Sequence, residues 1–354
     1  MNLLFDLGHP AHFHLFKHSI RALQANGHKV IITAKDQPVL IALLQNAGLE
    51  FINLGQKGHS LPGKAIRQLL FDWHIWQIAR RFQIDIGLGV SMSVPQAAVF
   101  GRMKSLVFDD DDYAVTPLFY RFAHRFANQV ISPECLSWQK GGNKYVYYNG
   151  YHELAYLRPD RFTPDPDVPA KAGVKEGEPY FVLRFNAFEA YHDTGQSGFS
   201  LKQKEELIEK LIPYGRVFIT GELASAPHFQ PYMISIHPAE MHSFLAYATM
   251  FIGDSQTMAS EAAVLGIPSI RLNSFAGKIS YLEEQEKKYR LTFAFHPDDY
   301  SKMLSKVDEI FTITNLKEEW QLRRQLMLQD KIDVTDFFVR FIENYPNSVK
   351  GGTV

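Results

Sequence analysis

The chain has 354 residues, with 37 basic and 38 acidic side chains and 46% hydrophobic against 21% charged residues. That length exceeds one ordinary core and suits two α/β domains. The near-cancelled charge leaves no global field for sequence-independent nucleic-acid binding, and the composition is neither disordered nor fibrous. Cys135 is the only cysteine, which excludes an internal disulfide and any cysteine-based zinc or redox pair and points to a reducing, cytoplasmic setting.

The first apolar run, Leu3 to Leu7, ends at Gly8-His9-Pro10 and has no basic leader before it, so it reads as a strand and not as a signal peptide. Phe13, Phe16, Ile20 and Leu23 then recur at helical spacing until Asn26-Gly27. Val30 to Ala34 and Leu49 to Leu54 read as the second and third strands, with a helix over Val39 to Ala47 between them. The next stripe, Ile66, Leu69, Leu70, Trp73 and Trp76 ending in Arg80-Arg81, is expected in the core, with peripheral contact to the inner face of a membrane as its alternative. Strands continue at Ile84 to Val90, Leu106 to Asp109, Val130 to Ser132 and Tyr145 to Tyr148.

Between Arg158 and Pro179 stand Pro159, Pro164, Pro166, Pro169 and Pro179 among charges, a composition that suits a linker. A second series follows, with strands at Tyr180 to Phe185, Val217 to Thr220, Met233 to Ile236, Met250 to Ile252 and Ser269 to Leu272. Helices fall near Lys202 to Ile212, Ser243 to Ala248 and Thr257 to Leu265, and the chain beyond Pro297 reads as largely helical. The last amphipathic stretch, Val334 to Ile342, gathers Phe337, Phe338 and Phe341 on one side, and Ser348 to Val354 reads as disordered. No apolar run approaches the roughly 18 to 20 residues that cross a bilayer. Continuous apolar strands separated by helices imply parallel sheets covered on both faces. The expected domains are 1–155, a linker at 156–179, 180–330, and a terminal helix over 331–347 packing back on the first domain. Ligands are expected at the carboxyl ends of the strands, in a cleft between the two domains.

The most informative segment runs from Phe251 to Pro268: a buried strand, the loop Asp254-Ser255-Gln256-Thr257, and a helix carrying Glu261. The first N–H groups of a helix have no intrahelical partner and its dipole favours negative charge, so a diphosphate fits at Ser255 to Thr257. Glu261 then reads either as a carboxylate accepting hydrogen bonds from a ribose diol or as a complement to the helix dipole. Ser255 reads either as a ligand or as a plain cap. Arg184 leaves the strand Tyr180 to Phe185 as a cation suited to a departing diphosphate, or as half of a salt bridge; Asn186, Glu189 and His192 are weaker candidates beside it. Gly221, after the next strand, belongs with the nucleotide cradle. The loop Gly8 to His14 holds His9, His12 and His14. A metal site is not expected there, since no carboxylate or cysteine follows at a useful spacing. Asp109-Asp110-Asp111-Asp112 ends a strand, where one member, Asp109, is a candidate base and a solvated loop is the plainer reading.

The segment Phe251 to Pro268, with Ser255, Glu261, Gly266 and Pro268 in place, resembles the nucleotide-binding loop and helix of GT-B enzymes. Two such families share it, the lipid II-forming N-acetylglucosaminyltransferase and the UDP-N-acetylglucosamine 2-epimerases. That resemblance implies a GT-B architecture of two Rossmann-like domains, with Ser255 on phosphate and Glu261 on the ribose of a nucleotide, uridine above others. His12, fifteen residues ahead of Gly27, matches the first-loop histidine of the transferase, although one glycine, Gly8, stands there in place of several; the resemblance implies donor binding at Gly8 and a general base or diphosphate contact at His12, against a capping or buried structural histidine. The wording LRFNAFEAYHD, with the stretch from Gly150 to Asp165 before it, resembles over almost the whole chain a prokaryotic family of GT-B-like proteins, domain of unknown function 354. The resulting expectation is a glycosyltransferase that moves a sugar from a UDP-linked donor to an unidentified sugar or lipid-linked acceptor in cell-surface polysaccharide synthesis, without a tightly bound cofactor. Two alternatives stand beside it. One is a sugar-nucleotide 2-epimerase, whose acids would align with Ser91 or Met92, Phe108 or Asp109, and Thr116 or Pro117, leaving two of three missing; the other is a non-catalytic nucleotide-sugar-binding protein.

Overall fold

A computed structural model describes residues 1–56, 58, 61–139, 141–185, 198–221 and 227–350. The chain divides into unit 1, Met1–Tyr156 with Ile332–Val354, and unit 2, Leu157–Lys331. Each is built on one parallel sheet.

Unit 1 alternates strands and helices in the order β1 (Asn2–Leu7), α1 (Pro10–Ala25), β2 (Lys29–Ala34), α2 (Pro38–Asn46), β3 (Ile52–Asn53), α3 (Leu61–Arg81), β4 (Ile86–Gly89) and α4 (Ser93–Ala98). Next come β5 (Lys104–Phe108), α5 (Pro117–Phe119) running into a π-helical turn (Tyr120–His124), β6 (Gln129–Pro133), β7 (Tyr145–Tyr148) and α6 (Leu154–Leu157). The sheet order is β3-β2-β1-β4-β5-β6-β7. Leu3 and Phe5 point to one face, where the rings of Phe5, Phe16, Phe108 and Phe338 meet edge to face with successive centroids 4.7 to 5.3 Å apart. Leu4 points to the other face and packs with Phe71, Ile75, Val94, Ala97 and Met103 from α3, α4 and the approach to β5. Leu4 pairs with Gly87 and Gly87 with Ser105, so Val107, two residues on, shares that face with them. There it packs on Ala123 and Ala127. Thus α3, α4 and the π-helical turn form one layer over the sheet.

Unit 2 contains α7 (Val168–Lys171), β8 (Tyr180–Phe185), α8 (Leu201–Leu211), β9 (Arg216–Gly221), α9 (Met241–Ala246), β10 (Met250–Gly253) and α10 (Gln256–Leu265). It continues with β11 (Ser269–Leu272), α11 (Ser280–Lys287), β12 (Thr292–Phe295), α12 (Tyr300–Phe311) and α13 (Leu316–Asp330). The sheet order is β12-β11-β10-β8-β9. Two helices of unit 1 follow, α14 (Val334–Glu343), which brings Phe338 to the first sheet, and α15 (Asn347–Lys350).

Five expectations are corrected. Met233 to Ile236 is no strand; only Met233 bridges Ile219. The outer strand of that sheet is Thr292–Phe295, which the sequence reading leaves unassigned ahead of Pro297. The third strand shrinks from Leu49 to Leu54 to Ile52–Asn53. Of the stretch expected to be disordered, Ser348 is buried and donates its Oγ hydrogen to Phe341 O at 2.9 Å, while residues 351–354 lie outside the described ones. Finally, Ile66, Leu69, Leu70 and Trp73, expected in the core, are exposed; the buried side of α3 is carried by Phe71 and Ile75, four residues apart.

Candidate functional site

In an open parallel sheet, ligands bind beyond the carboxyl ends of the two strands where the order reverses, because the connections there leave to opposite faces and open a crevice. In unit 1 those strands are β1 and β4; in unit 2 they are β8 and β10. The loop after β1 carries Gly8 and His12, Arg184 is near the end of β8, and Asp254 and Ser255 follow β10.

In unit 2, the Asp254 N–H donates to Arg184 O at 3.0 Å, which sets the ends of β8 and β10 side by side. Ser255 caps α10, its Oγ accepting from the Met258 N–H at 3.4 Å. Ser255, Gln256 and Thr257 are half-buried at the helix start. Arg184 donates from Nη1 to Thr220 Oγ1 at 3.4 Å, and its buried Nε has no hydrogen-bond partner among the described residues. Gly221 borders it: with φ +131, a Cβ there would stand 2.8 Å from Phe185 O and 3.7 Å from the Arg184 side chain. Asn186, Glu189 and His192 lie outside the described residues. Glu261 is buried inside α10, with Oε1 2.9 Å from Nε2 of His242, itself buried on α9. Gly266 ends α10 in the left-handed conformation, φ +76, so the glycine of the Gly-x-Pro pattern is needed to close the helix. Beside this edge, Arg271 on β11 is fully buried with all three guanidine nitrogens unpaired among the described residues. Burial holds its pKa below the ordinary value.

In unit 1, the Gly8 N–H donates to His12 Nδ1 at 3.1 Å, so His12 closes the loop that starts α1. His9 caps the same helix by accepting from the Ala11 N–H at 3.2 Å, and His14 stacks on Tyr156. The aspartate run is not a solvated string. Asp109 is buried with Oδ2 2.9 Å from His124 Nε2, Asp110 stands 3.0 Å from His152 Nδ1, and Asp112 accepts from Gln139. His124 Nδ1 is in turn 3.3 Å from the Tyr145 hydroxyl. Burial, then hydrogen bonding to Tyr120, pushes that phenol above its usual range and keeps it protonated. Asp6, buried at the end of β1, accepts from Thr33 Oγ1 at 2.8 Å and from Ser91 on the β4 side.

The sequence reading missed His242, His124, His152 and Tyr145. Each acts through a partner distant in the chain, and no local pattern marks them.

Residues 1–339 match the family described as "Protein of unknown function (DUF354)". An uncharacterised protein of Methanocaldococcus jannaschii is 22% identical over 323 residues, covering 87% of this chain and 91% of its own. Among solved structures, a Neisseria meningitidis UDP-GlcNAc 2-epimerase bound to UDP-GlcNAc superposes with a TM-score of 0.72 at 12% identity, over 97% of this chain and all of that one (100%). A Rickettsia africae glycosyltransferase reaches 0.61 at 14% identity, over 99% of each chain. These likenesses establish the GT-B fold.

Proposed function

From the premise that the chain belongs to the DUF354 family and has the GT-B fold, we propose that it is a glycosyltransferase with a UDP-linked sugar as donor, held by unit 2. The observation that carries this reading is the edge of β8 and β10, where a capped helix start, the half-paired guanidinium of Arg184 and the buried Glu261 belong to neighbouring elements. In the transfer, an acceptor oxygen forms a bond to the anomeric carbon as the bond to the diphosphate breaks. The acceptor proton passes to a base and the electron pair leaves with the nucleotide diphosphate. Arg184 and the start of α10, with Gln256 and Thr257, offset the charge that grows on the leaving group. Asn186 and the Gly221 turn complete the donor cradle. Glu261 takes the ribose diol, Gly8 leaves room for the donor, and His12 or Asp109 takes the proton. The single Cys135 suits a reducing, cytoplasmic setting, and the acceptor and its place in surface polysaccharide synthesis belong to the same proposal.

A second reading, epimerisation of the sugar nucleotide, is favoured by the higher TM-score to the epimerase, 0.72 against 0.61. It needs paired acids in unit 1, and of the three aligned positions only Asp109 supplies one. Thermal unfolding against UDP, GDP, CMP, dTDP and ADP tests the shared premise. UDP at a hundredfold its Kd adds about 2.7 kcal/mol, several degrees in Tm, and Glu261→Ala removes the response. Stabilisation by none of the five rejects the nucleotide-sugar reading. Incubation with UDP-GlcNAc alone then separates the two enzymes, since only an epimerase inverts the sugar without an acceptor. Stabilisation by UDP with unchanged biological output in Arg184→Ala would instead indicate a non-catalytic binding protein.

A further inference from the structure

The outward side of the layer formed by α3, α4 and the π-helical turn is apolar where a water-facing layer would be polar. Ile66 is 61% exposed, Leu69 70%, Trp73 52%, Phe100 79%, Leu118 66% and Phe122 42%. They form one surface because their elements are bonded edge to edge. Trp76 Nε1 donates to Phe100 O at 3.1 Å, joining α3 to the end of α4, and Gln96 Nε2 donates to Phe122 O at 3.0 Å, joining α4 to the turn. All three elements cover the same sheet face, so their outer sides look the same way.

The charge around this surface is mainly basic. Arg67, Arg80 and Arg81 are exposed on α3, and Arg102, Arg121 and Arg125 on the neighbouring segments. The one carboxylate of α3, Asp72, is half-buried and hydrogen-bonded to Gln68 at 2.7 Å; burial lifts its pKa from 3.8 to about 6. Asp85, at the rim, accepts from the Asn2 N–H at 2.7 Å. In a chain of net charge −1, such a basic rim is a local feature. Three of the arginines lie on aromatic rings, Arg80 at 4.8 Å over Trp76, Arg81 at 5.4 Å over Phe82 and Arg121 at 6.0 Å over Phe122. That arrangement suits side chains whose stems and rings enter an apolar phase while the guanidinium stays at its polar boundary.

We propose that this surface docks onto an anionic lipid bilayer, with the leucine, tryptophan and phenylalanine side chains in the acyl boundary and the arginines among the headgroups. No helix among the described residues is long and apolar enough to cross a membrane, so the contact lies in the plane of the interface. A second copy of the chain is the poorer occupant, because a two-fold contact would oppose the same arginines across it. The proposal rests on the surface alone and is independent of the donor nucleotide.

The test is flotation of the full chain with vesicles of phosphatidylcholine alone and of phosphatidylcholine mixed with phosphatidylglycerol, across a salt series, with sedimentation equilibrium in parallel. The wild type is expected on the mixed vesicles and weakly on the neutral ones, with binding falling as salt rises. Arg80→Gln with Arg81→Gln should lower binding at low salt by roughly fivefold per arginine, and Leu69→Ser with Trp73→Ser should abolish it at every salt concentration. Both double variants alter exposed positions and should unfold within a degree or two of the wild type by circular dichroism. Absence of the wild type from the mixed vesicles overturns the proposal. A dimer that dissociates in the Leu69→Ser, Trp73→Ser variant, without lipid binding, assigns the surface to a second copy and overturns it equally.

Discussion

Replacing His242 by phenylalanine tests whether the buried pair on α9 and α10 serves ribose recognition. The substitution keeps a ring of similar size against Phe162, which meets His242 edge-on with centroids 6.1 Å apart, and removes both ring nitrogens, among them the one 2.9 Å from Glu261 Oε1. With both residues buried, the carboxylate is left without that partner, and breaking a buried pair from one side costs about 3 kcal/mol or more of stability. Glu261→Gln keeps the shape and one hydrogen bond, so its cost should be nearer 1 kcal/mol. Stability alone does not distinguish a structural pair from a positioning one. A hydroxyl bound by a carboxylate is worth about 2 kcal/mol, roughly thirtyfold in Kd, so the wild type should prefer UDP to 2′-deoxy-UDP by about that factor. Calorimetric titration of both ligands, well below the melting temperature of each variant, reads the preference directly. It should collapse towards unity in Glu261→Ala, in His242→Phe and in the double variant, with the two effects not adding. A preference retained in His242→Phe but lost in Glu261→Ala would show that the imidazole does not position the carboxylate. A preference retained in both would falsify the ribose role of Glu261.

Two further outcomes follow from buried charge. Arg271 is fully buried with no partner for any guanidine nitrogen among the described residues, so Arg271→Met should raise the stability of unit 2 by about 1–4 kcal/mol in denaturant titration; a loss of stability together with loss of UDP binding would make the guanidinium a ligand group. Asp72 has a folded pKa of about 6, above its unfolded 3.8. The folded state therefore holds the extra proton between these values, and the resulting stability is full below about pH 4 and lost as pH rises to 6. Full desolvation would make this about 3 kcal/mol, and solvent screening at a half-buried site reduces it to about 1 kcal/mol. Asp72→Asn should accordingly gain about 2–4 °C in Tm at pH 8 and nothing at pH 4, and an equal gain at both would show that protonation is not its cause.

The strands of unit 1 were legible because a strand buried on both faces is a continuous apolar run, and Leu3, Leu4, Phe5 and Leu7 are all buried. Edge strands lack that mark. Thr292–Phe295 lies on the outside of its sheet, three of its four residues half-buried, and pairs with β11 alone. Met233 to Ile236 has a similar short apolar look, yet it makes only an isolated bridge, Met233 opposite Ile219 with the Ile234 N–H donating to Ile219 O at 3.0 Å. Local pattern does not separate the two, because pairing depends on which backbone lies alongside. The α3 stripe failed for a different reason. Its helical spacing was correct, but the helix is apolar on more than one side. The sheet chose Phe71 and Ile75, and Leu69 and Trp73 were left outside.

At the candidate site, what was legible is local: a cap at Ser255, a left-handed close at Gly266, an arginine near a strand end. What was hidden is the set of histidines, because a buried carboxylate must find a donor and the donor arrives from another element. Glu261 finds His242, Asp109 finds His124 and Asp110 finds His152. Three of the four adjacent aspartates, read as a solvated loop, turn instead to separate partners, with Asp112 at Gln139. The consequence reaches the chemistry. A proton arriving at Asp109 meets a carboxylate already committed to His124, whose other nitrogen faces Tyr145 at 3.3 Å. As a base, Asp109 must therefore either part from the imidazole or act through it. His12, at the switch point of the sheet, carries a constraint of its own: its Nδ1 accepts from the Gly8 N–H, so the neutral ring holds its proton on Nε2 and must part from Gly8 before Nδ1 takes another.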